Sequence, residues 1–189
     1  DVDLPIYYAD ATYTDFPQLF SKKSAQMVKN NGTANLFNNF SPKQIAHNLL
    51  LAKQCAEFIE SLDFDIDLIH AHFASFTRLG GMLAARYQDI PCTVTAHAVE
   101  IFRYPNIPQI QFICNGMDHV VVPSEYNRRY LRKEIEIKND MTVVPVTTRI
   151  EKFAPTEPAI KGRILTVARL VEKKGHLYGI EAVKNLIEK

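Results

Sequence analysis

The sequence predicts an α/β fold built on a doubly wound parallel sheet. Short apolar segments of strand length alternate with segments of helical periodicity along most of the chain. Such alternation implies right-handed βαβ units and a parallel sheet that helices cover on both faces. The pattern lapses once, after Thr147, and then restarts, which indicates a second domain.

A long helix is predicted to begin at Ser41, which is suited to its N-cap position. Pro42 fits the first helical position, and Gln44 completes a capping box with Ser41. The helix is expected to run to about residue 62. Its apolar stripe has the spacing of a helix that lies on a core, and comprises Ile45, Leu49, Ala52, Ala56 and Ile59.

Four strands follow, with helices between them. The predicted strands cover residues 67–71, 92–95, 119–122 and 141–144. The predicted helices cover about 75–88, about 107–114, and about 125–133 after an N-cap at Ser124. Gly80 and Gly81 would weaken the first of these helices by about 1 kcal/mol each relative to alanine. We therefore expect close packing against a neighbour at these glycines.

The restart of the pattern divides the chain into three parts. Residues 1–150 are predicted as an N-terminal Rossmann-like domain and residues 151–162 as a linker, because Phe153–Pro158 has a linker composition. Residues 163–189 then open a second Rossmann-like domain with a strand at Arg163–Val167 and a helix at about Gly175–Ile187. Only the first βα unit of that domain is present.

Composition argues against several classes of protein. The net charge of +1 is too small for a protein whose main partner is nucleic acid. No run of about 18 apolar residues and no charged-then-apolar leader occurs, so neither a membrane span nor a signal peptide is expected. Cys55, Cys92 and Cys114 fit no metal or redox spacing, which favours free thiols and a cytoplasmic location.

Polar residues at the carboxyl ends of the predicted strands form the candidate site. His70 and His72 close the first strand, His97 follows the second, Ser124 follows the third, and Arg169 follows the strand of the second domain. Ligands of open parallel sheets bind beyond these ends. Five polar positions on one rim therefore predict a ligand cleft between two domains.

Several of these residues also have a structural interpretation. His97 could simply bond a loop carbonyl, and Ser124 could serve only as a helix N-cap. His70 and His72 alternate onto one face of a strand, a spacing that can ligate metal, but no third ligand lies near them in the sequence. We therefore expect no metal site.

A basic face is predicted on the helix that follows Ser124. It comprises Arg128, Arg129, Arg132 and Lys133, with Glu134 and Glu136 close enough to offset part of the charge. The face is either a solvated surface or a surface that attracts anionic lipid headgroups, at about 1 kcal/mol per cation.

Arg169 and Lys174 flank the step from the last predicted strand into the last predicted helix. The N-terminus of a helix offers unpaired N–H groups and a partial positive charge. Two full positive charges would add to that attraction for anions. The ligand expected there is a diphosphate.

Four segments resemble glycosyltransferase family 4, which has the GT-B architecture. They are Asp67–Phe73, Thr95–Phe102, Val120–Tyr126 and Thr166–Gly175. The last segment resembles the donor phosphate motif of the family, with an arginine and a lysine five apart and a glycine next. The sequence around His97 is also similar to bacterial exopolysaccharide and colanic-acid-type transferases.

The resemblance implies a retaining glycosyltransferase of hexosyltransferase type in polysaccharide biosynthesis, moving a sugar from a nucleotide-diphosphate sugar to a glycan or lipid-linked acceptor. Arg169 and Lys174 would bind the diphosphate and stabilise its charge as it leaves, in place of a metal ion, so no cofactor is expected. His97 would approach the donor sugar as the catalytic candidate, with Glu100 and Ser124 as further substrate-binding candidates. A lipid-linked acceptor would bring peripheral contact with the inner face of the membrane.

The chain departs from the family pattern in three places. The first strand and its Gly-rich loop are absent before Asp1, and Pro145–Phe153 replaces the usual Pro-Asn-Gly-Val-Asp before the same phenylalanine. The second domain stops at Lys189, before the glutamates of the E-x7-E motif; Glu181 and Glu188 are seven apart rather than eight. We therefore expect a fragment without measurable transferase activity of its own.

Two other classes of protein stay open. A non-catalytic carbohydrate- or nucleotide-binding module could keep the same fold, since a fold does not determine a function, and the altered Pro145–Phe153 segment supports this alternative. A response-regulator-like or dehydrogenase-like domain is disfavoured, because no G-x-G-x-x-G follows a strand and no acidic cluster occurs at the strand ends.

Overall fold

The chain divides into two units between Thr147 and Thr148, and a four-stranded parallel sheet organises the first unit. The structure is a computed structural model that describes residues 7, 17, 19–153 and 158–188. The strands lie side by side in chain order, and they are Ile69–His72 (β1), Cys92–Thr95 (β2), His119–Val122 (β3) and Met141–Val143 (β4). The predicted α/β class with a parallel, Rossmann-like sheet is confirmed.

Helices precede the sheet and connect its strands. In the first unit they are Lys22–Asn30 (α1), Thr33–Asn39 (α2), Pro42–Glu60 (α3), Leu79–Gln88 (α4), Ile107–Gly116 (α5) and Glu125–Lys133 (α6). A 3-10 turn, Phe76–Arg78, leads into α4. The helices α1 and α2 were not predicted, because their sequences are rich in asparagine and lysine and bury few apolar side chains: Met27 in α1 and Leu36 in α2.

Helix α3 begins as predicted, with a complete capping box. The Ser41 hydroxyl accepts from the Gln44 amide, and the Gln44 side-chain oxygen accepts from the Ser41 amide at 3.0 Å. The two contacts satisfy donors that a helix N-terminus otherwise leaves unpaired. Of the predicted apolar stripe, Ile45, Leu49, Ala52 and Ala56 are buried and Ile59 is half-buried.

The two faces of the sheet have different chemistry. One face is apolar and packed into the core, and its buried side chains include Ala71, Cys92, Val94, Val120, Val122 and Met141. The other face carries His70, Thr93, Thr95, His119 and Thr142, none of them buried. Because strand order follows chain order, right-handed connections all return on one side of the sheet. The helices that connect these four strands therefore lie on one side of the sheet.

Close packing of α3 against α4 explains one of the two predicted glycines. A Cβ on Gly80 would lie 3.2 Å from the Asn48 carbonyl oxygen and 3.2 Å from Leu51 Cβ. A Cβ on Gly81 would meet nothing within 4 Å. The packing expected at both positions is thus confirmed for Gly80 and wrong for Gly81.

Asn48 caps the start of α4 from the neighbouring helix. Its side chain is fully buried; Oδ1 accepts from the Gly80 amide at 2.8 Å and Nδ2 donates to the Gln44 carbonyl at 2.8 Å. Arg78, at the N-cap position of α4, supplies no side-chain hydrogen bond to the first turn of the helix. Asn48 therefore pairs an N–H group that the first turn of α4 cannot pair within the helix.

The second unit contains the predicted helix without the predicted strand. A 3-10 turn, Glu172–Lys174, leads into His176–Ile187 (α7). No strand forms over residues 163–167, because a strand needs a neighbour to pair with and residues 158–188 contain none. In the predicted linker, Ile150–Phe153 form a 3-10 turn, and residues 154–157 lie outside the described residues.

The cysteines are free, as expected. Cys92 and Cys114 are buried and Cys55 is half-buried. Burial raises the pKa of Cys92 and of Cys114 to about 12, so both remain neutral thiols at physiological pH. Within the described ranges, no helix combines the length and the apolar character needed to cross a membrane.

Replacing Asn48 with alanine should destabilise the first unit. The substitution leaves the buried Gly80 amide without a partner, and the expected loss in the free energy of unfolding is about 1–3 kcal/mol. Urea denaturation followed by circular dichroism measures it. Asn38→Ala, at an exposed position of α2, is the matched control and should change stability by less than about 0.5 kcal/mol. Equal effects of the two substitutions would contradict the capping role.

Candidate functional site

The candidate site lies at the carboxyl ends of β1 and β2, where two histidines meet. His72 ends β1, and His97 follows β2 by two residues. Their ring nitrogens, Nδ1 of His72 and Nε2 of His97, are 3.1 Å apart. A hydrogen bond between two imidazoles needs one N–H and one lone pair, so the facing nitrogens share a single proton.

Contacts to both the backbone and the ring of His97 hold it in place. Its amide donates to Glu100 Oε1 at 2.6 Å, and its carbonyl accepts from Asn127 Nδ2 at 3.4 Å. The ring of Phe73 packs against the imidazole with 4.5 Å between ring centroids. These contacts fix both the loop and the direction of the imidazole, which is a precondition for positioning a substrate.

Glu100 joins the two loops that build the site. It lies in a π-helical turn, Val99–Arg103, and is only 7% exposed. Besides the His97 amide, Oε1 accepts from the Ala74 amide at 3.1 Å, and Ala74 belongs to the loop after β1. Oε2 has no hydrogen-bond partner among the described residues. One oxygen is thus committed to the protein and the other is buried, and a role for Glu100 in substrate binding stays a prediction.

His70 lies beside the pair and bonds two threonine hydroxyls. Its two ring nitrogens lie 2.6 Å from the Thr93 hydroxyl and 2.8 Å from the Thr95 hydroxyl. Its ring centroid is 4.9 Å from that of His72. Burial, and then the charges of His72 and His97, lower the pKa of His70.

Four ring nitrogens of the three neighbouring imidazoles are engaged in hydrogen bonds within the protein. Both nitrogens of His70 are occupied by threonine hydroxyls, and the facing nitrogens of His72 and His97 bond each other. Across the described ranges, no group of three or more histidine, cysteine, aspartate or glutamate side chains is arranged to hold a metal ion.

A cleft of about 420 Å³ opens next to His97. Its walls come from the loop after β1, the π-helical turn and the start of α5, and they include Phe73, Phe76, Arg78, Glu100, Tyr104 and Gln109. The aromatic residues that line this cleft are not among the site residues predicted from the sequence. The spacing of aromatic residues along the chain does not show that Phe73 and Tyr104 line the same cleft.

Ser124 serves as the N-cap of α6. Its hydroxyl accepts from the Asn127 amide at 3.2 Å and lies 2.7 Å from Asn127 Oδ1, to which it donates. Both hydrogen bonds are local, which confirms the N-cap interpretation. Its inclusion among substrate-binding residues stays a prediction.

Half of the predicted basic face is engaged within the protein. Arg128 pairs with Glu125 at 2.8 Å, and the Arg132 guanidinium donates to the carbonyls of Ile137 and Asn139. Arg129 and Lys133 remain exposed. Arg128 and Arg132 therefore have part of their hydrogen-bonding capacity committed within the protein.

In the second unit, Arg169 and Lys174 precede the N-terminus of α7 as predicted. Both side chains are exposed. Gly175 has φ of 67° and caps α7, and the His176 ring lies 2.9 Å from the Arg169 carbonyl. The positive φ explains a glycine at this turn. The role of both cations in diphosphate binding stays a prediction.

Comparison with known protein families gives a match over most of the first unit. The family model described as Glycosyltransferase Family 4 matches residues 18–149. This range contains the whole sheet, the histidine pair and the cleft, whereas Arg169 and Lys174 lie outside it. No curated protein sequence matches the chain.

Glu100→Ala should loosen the site and destabilise the fold. The substitution leaves the amides of Ala74 and His97 without their acceptor, at an expected cost of about 2–4 kcal/mol in the free energy of unfolding. Glu100→Gln retains an acceptor oxygen and should cost less. Urea denaturation measures both, and the His97 amide signal in a ¹H–¹⁵N spectrum reports the local change. A glutamine variant as unstable as the alanine variant would contradict the two-amide contact.

The lowered pKa of His70 should make stability fall in acid. The unfolded chain binds this proton more readily than the folded one, since the ordinary pKa of histidine is 6.5 and that of folded His70 lies below it. The contribution of neutral His70 is complete above pH 6.5 and is lost as pH falls through the lowered pKa. Urea midpoints measured from pH 8 to pH 5 should fall less steeply for His70→Gln than for the wild type. Equal slopes for His70→Gln and the wild type would show that His70 does not cause the loss of stability in acid. His47→Gln is the control for removing an exposed histidine.

Proposed function

The chain belongs to glycosyltransferase family 4, and from this membership we propose that it contributes the acceptor-side domain of a retaining hexosyltransferase. The donor is a nucleotide-diphosphate sugar, and the acceptor is a glycan or a lipid-linked saccharide. The observation that carries the proposal is the family match over residues 18–149. The fixed His97 at the carboxyl ends of the strands supports it, because ligands of parallel sheets bind at that edge.

His97 acts in this proposal beside the anomeric carbon of the donor sugar. Its ring is oriented by His72 at 3.1 Å and by the packing of Phe73. A preoriented polar group lowers the barrier when it contacts the reacting centre more favourably in the transition state. His97 is thus the residue of the first unit that we assign to the reacting sugar.

Arg169 and Lys174 bind the diphosphate of the donor. In the transfer, the bond between the anomeric carbon and the diphosphate oxygen breaks, a bond to the acceptor oxygen forms on the same face of the sugar, and the proton of the acceptor hydroxyl passes to the departing diphosphate. The electron pair of the broken bond stays on the diphosphate, where fixed cations stabilise the developing charge. The position of both residues at the start of α7 supports this role.

A lipid-linked acceptor would bring the protein to the inner face of a membrane. Exposed aromatic and basic side chains support this form of the acceptor. Phe102, Tyr126 and Tyr130 cluster with ring centroids 4.8–6.4 Å apart, beside the exposed Arg129 and Lys133. Aromatic rings next to cations suit the headgroup region of a bilayer with anionic lipids.

The proposal is tested on the full-length gene product. It is incubated with a panel of UDP-, GDP- and ADP-sugars and simple saccharide acceptors, and products are identified by mass spectrometry and by the anomeric coupling constants in NMR. The expected result is a glycoside that keeps the anomeric configuration of the donor. An inverted product would contradict the retaining assignment, and nucleotide-sugar binding without transfer would favour the non-catalytic binding module.

Arg169→Ala in the full-length product should lower kcat/KM about 10²-fold or more, the size expected for loss of one preorganised charge contact. Lys174→Ala should have a similar effect. Lys173→Ala is the matched control, because Lys173 is an exposed neighbour on the same turn. Steady-state kinetics with varied donor measures all three. Unchanged kinetics in Arg169→Ala, or equal losses in Lys173→Ala and Lys174→Ala, would contradict the diphosphate assignment.

A further inference from the structure

Phe73 has a backbone conformation that its side chain does not favour. Its φ is 70°, in the left-handed region that bulky residues rarely adopt. A residue held there costs about 1–3 kcal/mol when it is not glycine. The other described non-glycine residues with positive φ are Asp89 and Glu136, which lie past the ends of α4 and α6. Phe73 instead follows β1 directly, at the candidate site.

Hydrogen bonds on both sides impose this conformation. The Phe73 amide donates to the Thr95 carbonyl at 2.8 Å, which continues the pairing of β1 with β2. The Phe73 carbonyl accepts from the Ser75 amide at 2.9 Å, which turns the chain at once. The ring is 40% exposed, so it is not a core side chain. Core burial therefore does not account for a phenylalanine at this strained position.

The left-handed turn places the ring of Phe73 at the edge of the cleft, against His97. The two ring centroids are 4.5 Å apart, with an angle of 40° between the planes. The Arg78 guanidinium lies 5.9 Å from the Phe73 centroid, and both residues line the cleft. A partly exposed aromatic ring thus lies beside the histidine that we assign to the reacting sugar.

The rest of the cleft offers a few polar groups among apolar ones. Phe76 and Tyr104 add aromatic surface. Glu100, which is 7% exposed, lines the same cleft, and its Oε2 has no hydrogen-bond partner among the described residues. A pyranose ring matches this combination, because it has an apolar face of C–H groups and an edge of hydroxyl groups. Ligand sites commonly join apolar walls to a few placed polar groups in this way.

We propose that Phe73 is the platform on which the sugar ring of the acceptor stacks, beside His97 and at the edge of the cleft. The proposal rests on the proposed function, and it names a specificity-determining residue for the acceptor. The residues that line the cleft all lie between positions 73 and 110, in the first unit. They include neither Arg169 nor Lys174, the residues proposed to bind the donor diphosphate, so we assign the subsite to the acceptor.

The test is glycoside binding to the 189-residue chain. The probes are methyl β-D-glucopyranoside, methyl β-D-galactopyranoside and methyl α-D-mannopyranoside, followed by saturation-transfer NMR and by ¹H–¹⁵N titration. At least one probe should bind, with saturation transferred mainly to the protons on one face of its ring. Phe73→Gly should weaken that binding about five- to tenfold. Its melting temperature should stay equal or rise, since glycine adopts a φ of 70° without strain.

Two further variants separate the ring from the backbone. Phe73→Asn removes the ring but keeps a residue that tolerates the left-handed region, and it should lose binding as Phe73→Gly does. Phe73→Tyr keeps the ring and should keep binding. Phe64→Ala is the matched control, because it removes an aromatic side chain that is 55% exposed in the segment between α3 and β1. That control should bind like the wild type.

Three results would overturn the proposal. The first is that no probe binds to the wild type, and the second is that Phe73→Gly binds as the wild type does. The third is a large drop in the melting temperature of both Phe73→Gly and Phe73→Asn, because the ring would then be needed for packing. The proposed function is judged separately. Transfer by the full-length product with an unchanged acceptor KM in Phe73→Gly would overturn the platform alone, whereas glycoside binding without any sugar transfer would overturn the transferase alone.

Discussion

The parallel register of β1 and β2 is the constraint on which the site depends. His72 pairs with Thr95 at the last position of the ladder, so the loops after both strands leave the same edge of the sheet. That register brings the ring nitrogens of His72 and His97 to 3.1 Å and lets the Thr95 carbonyl accept from the Phe73 amide. A shift of one residue would move His72 to the buried face and remove both contacts.

Glu100 extends this constraint from the strands to the loops. A single carboxylate oxygen accepts from the amides of Ala74 and His97, and the carboxylate is buried. Charge-assisted hydrogen bonds of this kind are stronger than neutral ones and hold a loop in one geometry. The strained Phe73 lies directly before Ala74, so the same carboxylate also restrains the turn that aims the aromatic ring.

Local patterns predicted the four strands of the sheet and the starts of α3 and α6. Long-range contacts account for the features of the site that these patterns did not predict. Ser41 with Gln44 and Ser124 with Asn127 are short-range hydrogen bonds, and the strands at 92–95 and 119–122 were predicted to the residue. The left-handed φ of Phe73 depends on a carbonyl 22 positions away, as the numbers of Phe73 and Thr95 show. The second contact of Glu100 likewise crosses 26 positions. His97 was predicted at the rim, but the groups that orient it could be identified only in three dimensions.

The central claim is that a sugar is bound at the His72–His97 pair of a family 4 glycosyltransferase. The most direct measurement is a crystal structure of the full-length gene product soaked with a nucleotide diphosphate and a methyl glycoside. We expect electron density for the glycoside in the cleft, with its ring face on Phe73 and a hydroxyl group within hydrogen-bond distance of a polar group that lines the cleft. A glycoside bound elsewhere on the protein, with this cleft filled only by solvent, would contradict it.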